Sequence, residues 1–125
     1  MIYTASFKII KRLSDYCQLA ISRGVPNWYK GGRYKKLAAP YQLVMLQKAA
    51  QQGTFDNDDI EMFSTAYYEE VLSKLNPYEV KEELMQVSGG KPVVLLSQEA
   101  SDEYSIRHVI RAWFLQAGIE CEEIK

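Results

Sequence analysis

Apolar residues change their spacing several times along this chain, and each change marks a predicted element. Residues 2–6 are short and β-prone and read as a first strand, followed by one or two helical turns over 8–13. Cys17-Gln18-Leu19-Ala20-Ile21-Ser22 reads as a second strand, ended by Arg23-Gly24. From 25 to 40 the chain mixes Gly, Pro and aromatics without a steady period, which predicts an ordered loop with Trp28, Tyr29 and Tyr34 held by packing. Leu43, Val44, Leu46 and Ala50 give a helix over 40–50, closed by Gly53, and Asp56 offers an N-cap for the next. That next helix is marked by Ile60, Phe63, Tyr67, Val71 and Leu75 at three- and four-residue steps.

Asn76-Pro77-Tyr78-Glu79 combines a capping pattern with proline at a first helical position, so a helix is predicted from 77 to about 87, ending at Ser88-Gly89-Gly90. Pro92-Val93-Val94-Leu95-Leu96 is nearly continuous in apolar character, as in a strand covered on both faces. A loop over 97–104 leads to the stripe Ile106, Val109, Ile110, Trp113, Phe114, Ala117, which Gly118 stops before a last strand over 119–124. Strand, helix and strand make a βαβ unit, for which a right-handed crossover is expected. The fold class is therefore α/β: a small, mostly parallel sheet of about four strands flanked by helices, one domain over 1–125.

Composition agrees. A chain of 125 residues with 47% hydrophobic and 25% charged positions suits one continuous core and argues against disorder. Formal net charge is −1, which disfavours a global electrostatic grip on nucleic acid. The charge is unevenly placed, however. Arg23, Lys30, Arg33, Lys35 and Lys36 occur together without an acid, whereas 56–83 holds nine acids against Lys74 and Lys81. Cys17 and Cys121 form no C-x-x-C pattern and read as buried free thiols. No signal peptide or apolar run of membrane-spanning length is evident, so a cytosolic setting is expected and no membrane partner. Nine tyrosines and four phenylalanines are more aromatic surface than a small core hides easily, which favours a homo-oligomer, most simply a dimer.

In open α/β sheets ligands bind beyond the carboxyl ends of the strands, where helix N-termini present free N–H groups and a positive dipole end. The turn after Leu96 has that position. Ser97 and Gln98 end the strand, Ser105 is placed to bind an anion or cap the helix, and Arg107 and His108 sit in the first turn against the dipole. An incoming phosphate or carboxylate would offset that conflict; the alternative is a solvated Arg107 and a half-buried His108 bonded to a carbonyl. Arg23, directly after the second strand, is expected to reach the same cradle, and a first-turn Arg107 is expected to contribute little to the core. Trp28, Tyr29, Lys30 and Arg33 suit either base stacking with phosphate contacts or plain loop packing.

No P-loop or G-x-G-x-x-G pattern occurs, the one histidine argues against a metal site, and neither cysteine has a placed base, so no cofactor is expected. Residues 2–7, the run Ile21-Ser22-Arg23-Gly24-Val25-Pro26-Asn27-Trp28-Tyr29-Lys30-Gly31 continuing through Arg33-Tyr34-Lys35-Lys36-Leu37-Ala38, and Leu95-Leu96-Ser97-Gln98-Glu99 through Arg107-His108 to Trp113 together resemble the short branch of the domain-of-unknown-function family number 488. The resemblance spans nearly the whole chain and implies the fold. Members usually carry Leu-Leu-Cys-Tyr-Glu and a loop ending Cys-His-Arg-His. Here Ser97-Gln98 and Ser105-Ile106 stand in place of the cysteine-bearing pairs, so any chemistry resting on those cysteines is expected to be absent.

The expected function is capture of a small phosphorylated, nucleotide-derived anion without chemistry. Such a protein serves as a sensor or as a sequestering sponge, by analogy with those that viruses use against immune signalling nucleotides. One alternative is a hydrolase or transferase using Glu99, Ser105 and His108; a second is a nucleic-acid-binding module on the Arg23–Lys36 segment.

Overall fold

The computed structural model describes residues 1–45, 57–100 and 104–125. Five strands, β1 (Ile2–Ser6), β2 (Cys17–Ala20), β3 (Gly32–Arg33), β4 (Val93–Ser97) and β5 (Cys121–Ile124), form one sheet in the order β3-β2-β4-β1-β5. Every pairing is parallel. The continuous apolar run becomes β4, buried at all five positions because it has a strand on each side and cover on each face. The strand beyond the expected four is β3, two residues inside the aromatic loop, aligned on β2 with Ala20 opposite Arg33.

The α-helices that lie wholly within the described residues, α1 (Asn57–Glu70), α2 (Pro77–Ser88) and α3 (Ile106–Gln116), belong to one face of the sheet. There Phe63, Tyr67, Leu84, Ile110 and Phe114 close over Ile2, Leu19, Val93 and Leu95. The α1 stripe continues into Val71 and Leu75, but the helix ends at Glu70 and the chain closes as a 3-10 turn over Leu72–Lys74. Pro77 excludes helical backbone at Asn76, which is extended and free to cap α2 by accepting from Tyr78 and Glu79 N–H at 2.9 and 3.3 Å. Gly89, with φ of 61°, supplies the left-handed residue that ends α2. Residues 41–45 are helical; the rest of the helix expected over 40–50, its Gly53 stop and the Asp56 cap lie outside the described residues, as does 101–103 of the loop after β4.

The other face is thinly covered. Phe7 and Leu13, from the connection between β1 and β2, pack with Tyr29 on Ala5, Ala20, Val94 and Leu96. That connection crosses β4 on one face, while α3 carries the chain from β4 across β1 to β5 on the opposite face. So β1 and β4, adjacent in the sheet, send the chain to opposite faces, each connection passing over the other's strand. Among the described residues no helix is long and apolar enough to cross a membrane.

Candidate anion site at the carboxyl edge of the sheet

The start of α3 is closed to ligands. Ser105 caps it, its Oγ accepting from the Arg107 N–H at 3.2 Å, and His108 Nδ1 lies 3.2 Å from the Ser105 N–H to complete a capping box. Arg107 is fully buried. Its Nε and Nη2 donate to the two carboxylate oxygens of Glu123 at 3.2 and 3.0 Å, and Nη1 donates to Ser97 Oγ at 2.7 Å and Glu99 O at 2.9 Å. Longer contacts of 3.4 Å reach Ser97 O and Ala100 O. Thr4 donates to the same Glu123, and the Ser97 and Ser105 hydroxyls lie 3.0 Å apart inside this network.

The expected anion cradle is therefore corrected. The counter-charge of Arg107 is Glu123 of β5, an internal partner, so Ser97, Ser105 and Arg107 form a buried structural cluster. His108 keeps an exposed ring, stacked on Tyr104 with centroids 6.1 Å apart and planes 13° apart, but its Nδ1 serves the cap. Arg107 reaches toward β5, away from β2, so it shares no pocket with Arg23.

Arg23 lies in a different concavity. Ile21 N–H donates to Leu96 O and Tyr34 N–H to Ala20 O, each at 2.9 Å, so both ends of the 22–33 excursion are fixed to the sheet. Beyond β3 Tyr34 turns into the core, while Arg33 and Lys35, the latter opening a 3-10 turn over Lys35–Leu37, stay exposed. The result is a cleft of about 310 Å³ lined by Ala20, Ser22, Arg23, Arg33, Lys35 and Ala38. Three cations border it and, among the described residues, no acid does. Among the described residues no carboxylate pairs with Arg23, Arg33 or Lys35. Lys36 differs, since it pairs with Glu83, whose carboxyl it holds below the ordinary glutamate range.

Trp28 and Gln98 line a second recess, also about 310 Å³, with Phe7, Lys8 and Pro26. The Trp28 indole is 56% exposed and meets Phe7 edge-on at 6.3 Å. Gln98 Nε2 donates to Gly24 O at 3.3 Å, tying the carboxyl end of β4 to the Arg23 loop. Tyr29 is not available for stacking. Its ring packs edge-on against Phe7 at 5.0 Å and its hydroxyl donates to Gly32 O at 2.6 Å, with Gln18 O at 3.2 Å. Burial pushes that phenol above the ordinary tyrosine value, and a Cβ at Gly31 would collide with it. Lys30 is exposed and lines neither concavity.

Of the residues expected at one site, the structure groups Arg23 with Arg33, and Trp28 with Gln98. It adds Phe7 and Lys8 to the second group, and Ser22 and Lys35 line the cleft with Arg23 and Arg33. Lys35 belongs to the acid-free basic run from Arg23 to Lys36, which is the signal that points to it. Among the described residues no group of three His, Cys, Asp or Glu is placed to hold a metal ion. No family model matches the chain, and no curated protein or solved structure matches it.

Proposed function

We propose that the protein binds a small phosphorylated ligand in the cleft at the ends of β2 and β3 and releases it unaltered, as a sensor or a sequestering protein does. One observation carries this reading: Arg23, Arg33 and Lys35 face a single concavity with no acid among the described residues to neutralise them. Like charges held together repel, and a phosphate relieves that repulsion while accepting from two guanidinium forks and an ammonium. The position supports the reading, because carboxyl strand ends are where open parallel sheets receive ligands. Capture without reaction is favoured because Ser105 and His108 are engaged in capping α3 and Ser97 is buried under Arg107.

Calorimetric titration of the full chain with inorganic phosphate and pyrophosphate tests the reading. A charged hydrogen bond contributes about 1.5–3 kcal/mol, so Arg33→Ala and Arg23→Ala are each expected to weaken pyrophosphate binding about ten- to a hundredfold. Unchanged affinity in the double variant refutes it. Incubation with a nucleotide panel should return every compound intact by chromatography, and altered products would replace capture with catalysis.

A further inference from the structure

The two concavities at the carboxyl edge stand in a fixed order. Arg33 belongs to β3, Ser22 and Arg23 follow β2, Gln98 follows β4, and Phe7 and Lys8 follow β1, which is the order of the strands across the sheet. They also share a face. Arg33 is in register with Ala20, and Ala20 packs with Phe7, Val94 and Leu96 on the thinly covered side. With strands about 4.8 Å apart, the middle of the β3–β2 cleft lies roughly 10 Å from the middle of the β4–β1 recess. The Arg23–Trp28 loop borders both, and the Gln98–Gly24 hydrogen bond holds that loop in place.

The second concavity has a different chemistry. Trp28, Phe7 and Pro26 give it apolar walls, and Gln98 adds a polar edge. Phe7 is buried and Tyr29 is held by its hydroxyl, so both are fixed; Trp28 alone keeps an open indole face, with Phe7 setting the ring's tilt. An indole of this kind, 56% exposed beside a cationic cleft, is a surface for a flat ring with a charged tail.

We infer that the two concavities are one bipartite site for a nucleotide, with the phosphates at Arg23, Arg33 and Lys35 and the base stacked on Trp28 in the Phe7–Gln98 recess. This inference rests on the phosphate reading above and extends it to a ligand class. The roughly 10 Å separation matches a nucleoside 5′-phosphate or diphosphate laid along the strand ends, with the sugar passing Gly24. Binding here involves no bond making.

Titration of the full chain with pyrophosphate and with nucleoside diphosphates, followed calorimetrically and by tryptophan fluorescence, separates the two levels. Trp113 is only 8% exposed, so ligand-dependent quenching reports on Trp28. Base–aromatic stacking predicts that a nucleoside diphosphate binds about five- to a hundredfold more tightly than pyrophosphate and quenches fluorescence. Trp28→Ala should erase that difference while leaving pyrophosphate affinity unchanged, and Trp28→Phe should keep part of it in a protein whose Phe7 contact is retained. Equal affinity for nucleotide and pyrophosphate overturns the bipartite site and leaves the anion cleft standing. An equal loss for both ligands in Trp28→Ala also overturns it, since Trp28 would then be shaping the cationic cleft. Failure of pyrophosphate itself to bind removes both readings together.

Discussion

Replacing Arg107 with alanine removes a guanidinium that is 0% exposed and whose three nitrogens all donate to protein acceptors. What remains is a Glu123 carboxylate 12% exposed that keeps Thr4 as a donor, and the Glu99 carbonyl without the 2.9 Å donor it had. Breaking a buried ion pair from one side costs about 3–5 kcal/mol, because the surviving charge stays desolvated. The neighbouring carbonyls belong to the same network, so their losses are not added separately. Against a typical domain stability of about 5–15 kcal/mol, this is a large fraction. For a chain of this length it lowers the melting temperature by about 10–20 °C.

The assay is chemical and thermal denaturation by circular dichroism for Arg107→Ala, Glu123→Gln and the double variant. The cycle should return a coupling of at least about 1.5 kcal/mol, with the double variant more stable than the two single losses summed. Pyrophosphate affinity, measured well below the melting transition, should be unchanged, since the cationic cleft lies on the β2 side of β4. A stability loss under about 1 kcal/mol together with abolished anion binding would refute this reasoning and restore Arg107 as a ligand-binding group.

Tyr29→Phe should keep the ring on Phe7 but delete the donor to Gly32 O and Gln18 O, lowering stability by about 1 kcal/mol and accelerating amide exchange over 30–33, as seen by hydrogen-exchange mass spectrometry. Cys121 is buried and its thiol is pushed up to about 12, chiefly by burial, so a disulfide reagent at pH 8 should leave it unlabelled in the native protein and modify it only in denaturant. Peptide mapping after labelling checks this, and native modification of Cys121 would contradict the packing of β5.

Most of the fold was legible because periodicity reports local burial. The stripes through Ile60, Phe63 and Tyr67 and through Ile110, Trp113 and Phe114 became helices whose buried faces cover the sheet. The turn chemistry of Asn76-Pro77 and Gly89 set both ends of α2. β3 was missed because two residues carry no period, and because it exists only through pairing with β2, a contact the local sequence does not encode. Arg107 was misplaced for a related reason. Its position against the helix dipole suggested an external anion, yet its partner lies 16 residues later on a strand reached by crossing β1. A clue was present: Arg107 stands three residues before Ile110 and seven before Phe114, on the helix's buried stripe. An arginine in that register is directed inward, and an inward arginine requires a carboxylate.

The same sheet edge thus divides by what neutralises its cations. Above β4, β1 and β5, the arginine has an acid from the fold itself, and desolvation makes that pairing a structural brace whose disruption is costly. Above β2 and β3, three cations line a cleft that has no acid among the described residues, and they remain in contact with solvent, where holding them together stabilises nothing by itself. A group of unneutralised charges that adds no stability is where a ligand's charge contributes most, because an anion arriving there gains attraction without displacing an internal partner. Charge position along the chain did not separate the two cases. Strand order did, by setting which cations came within reach of Glu123.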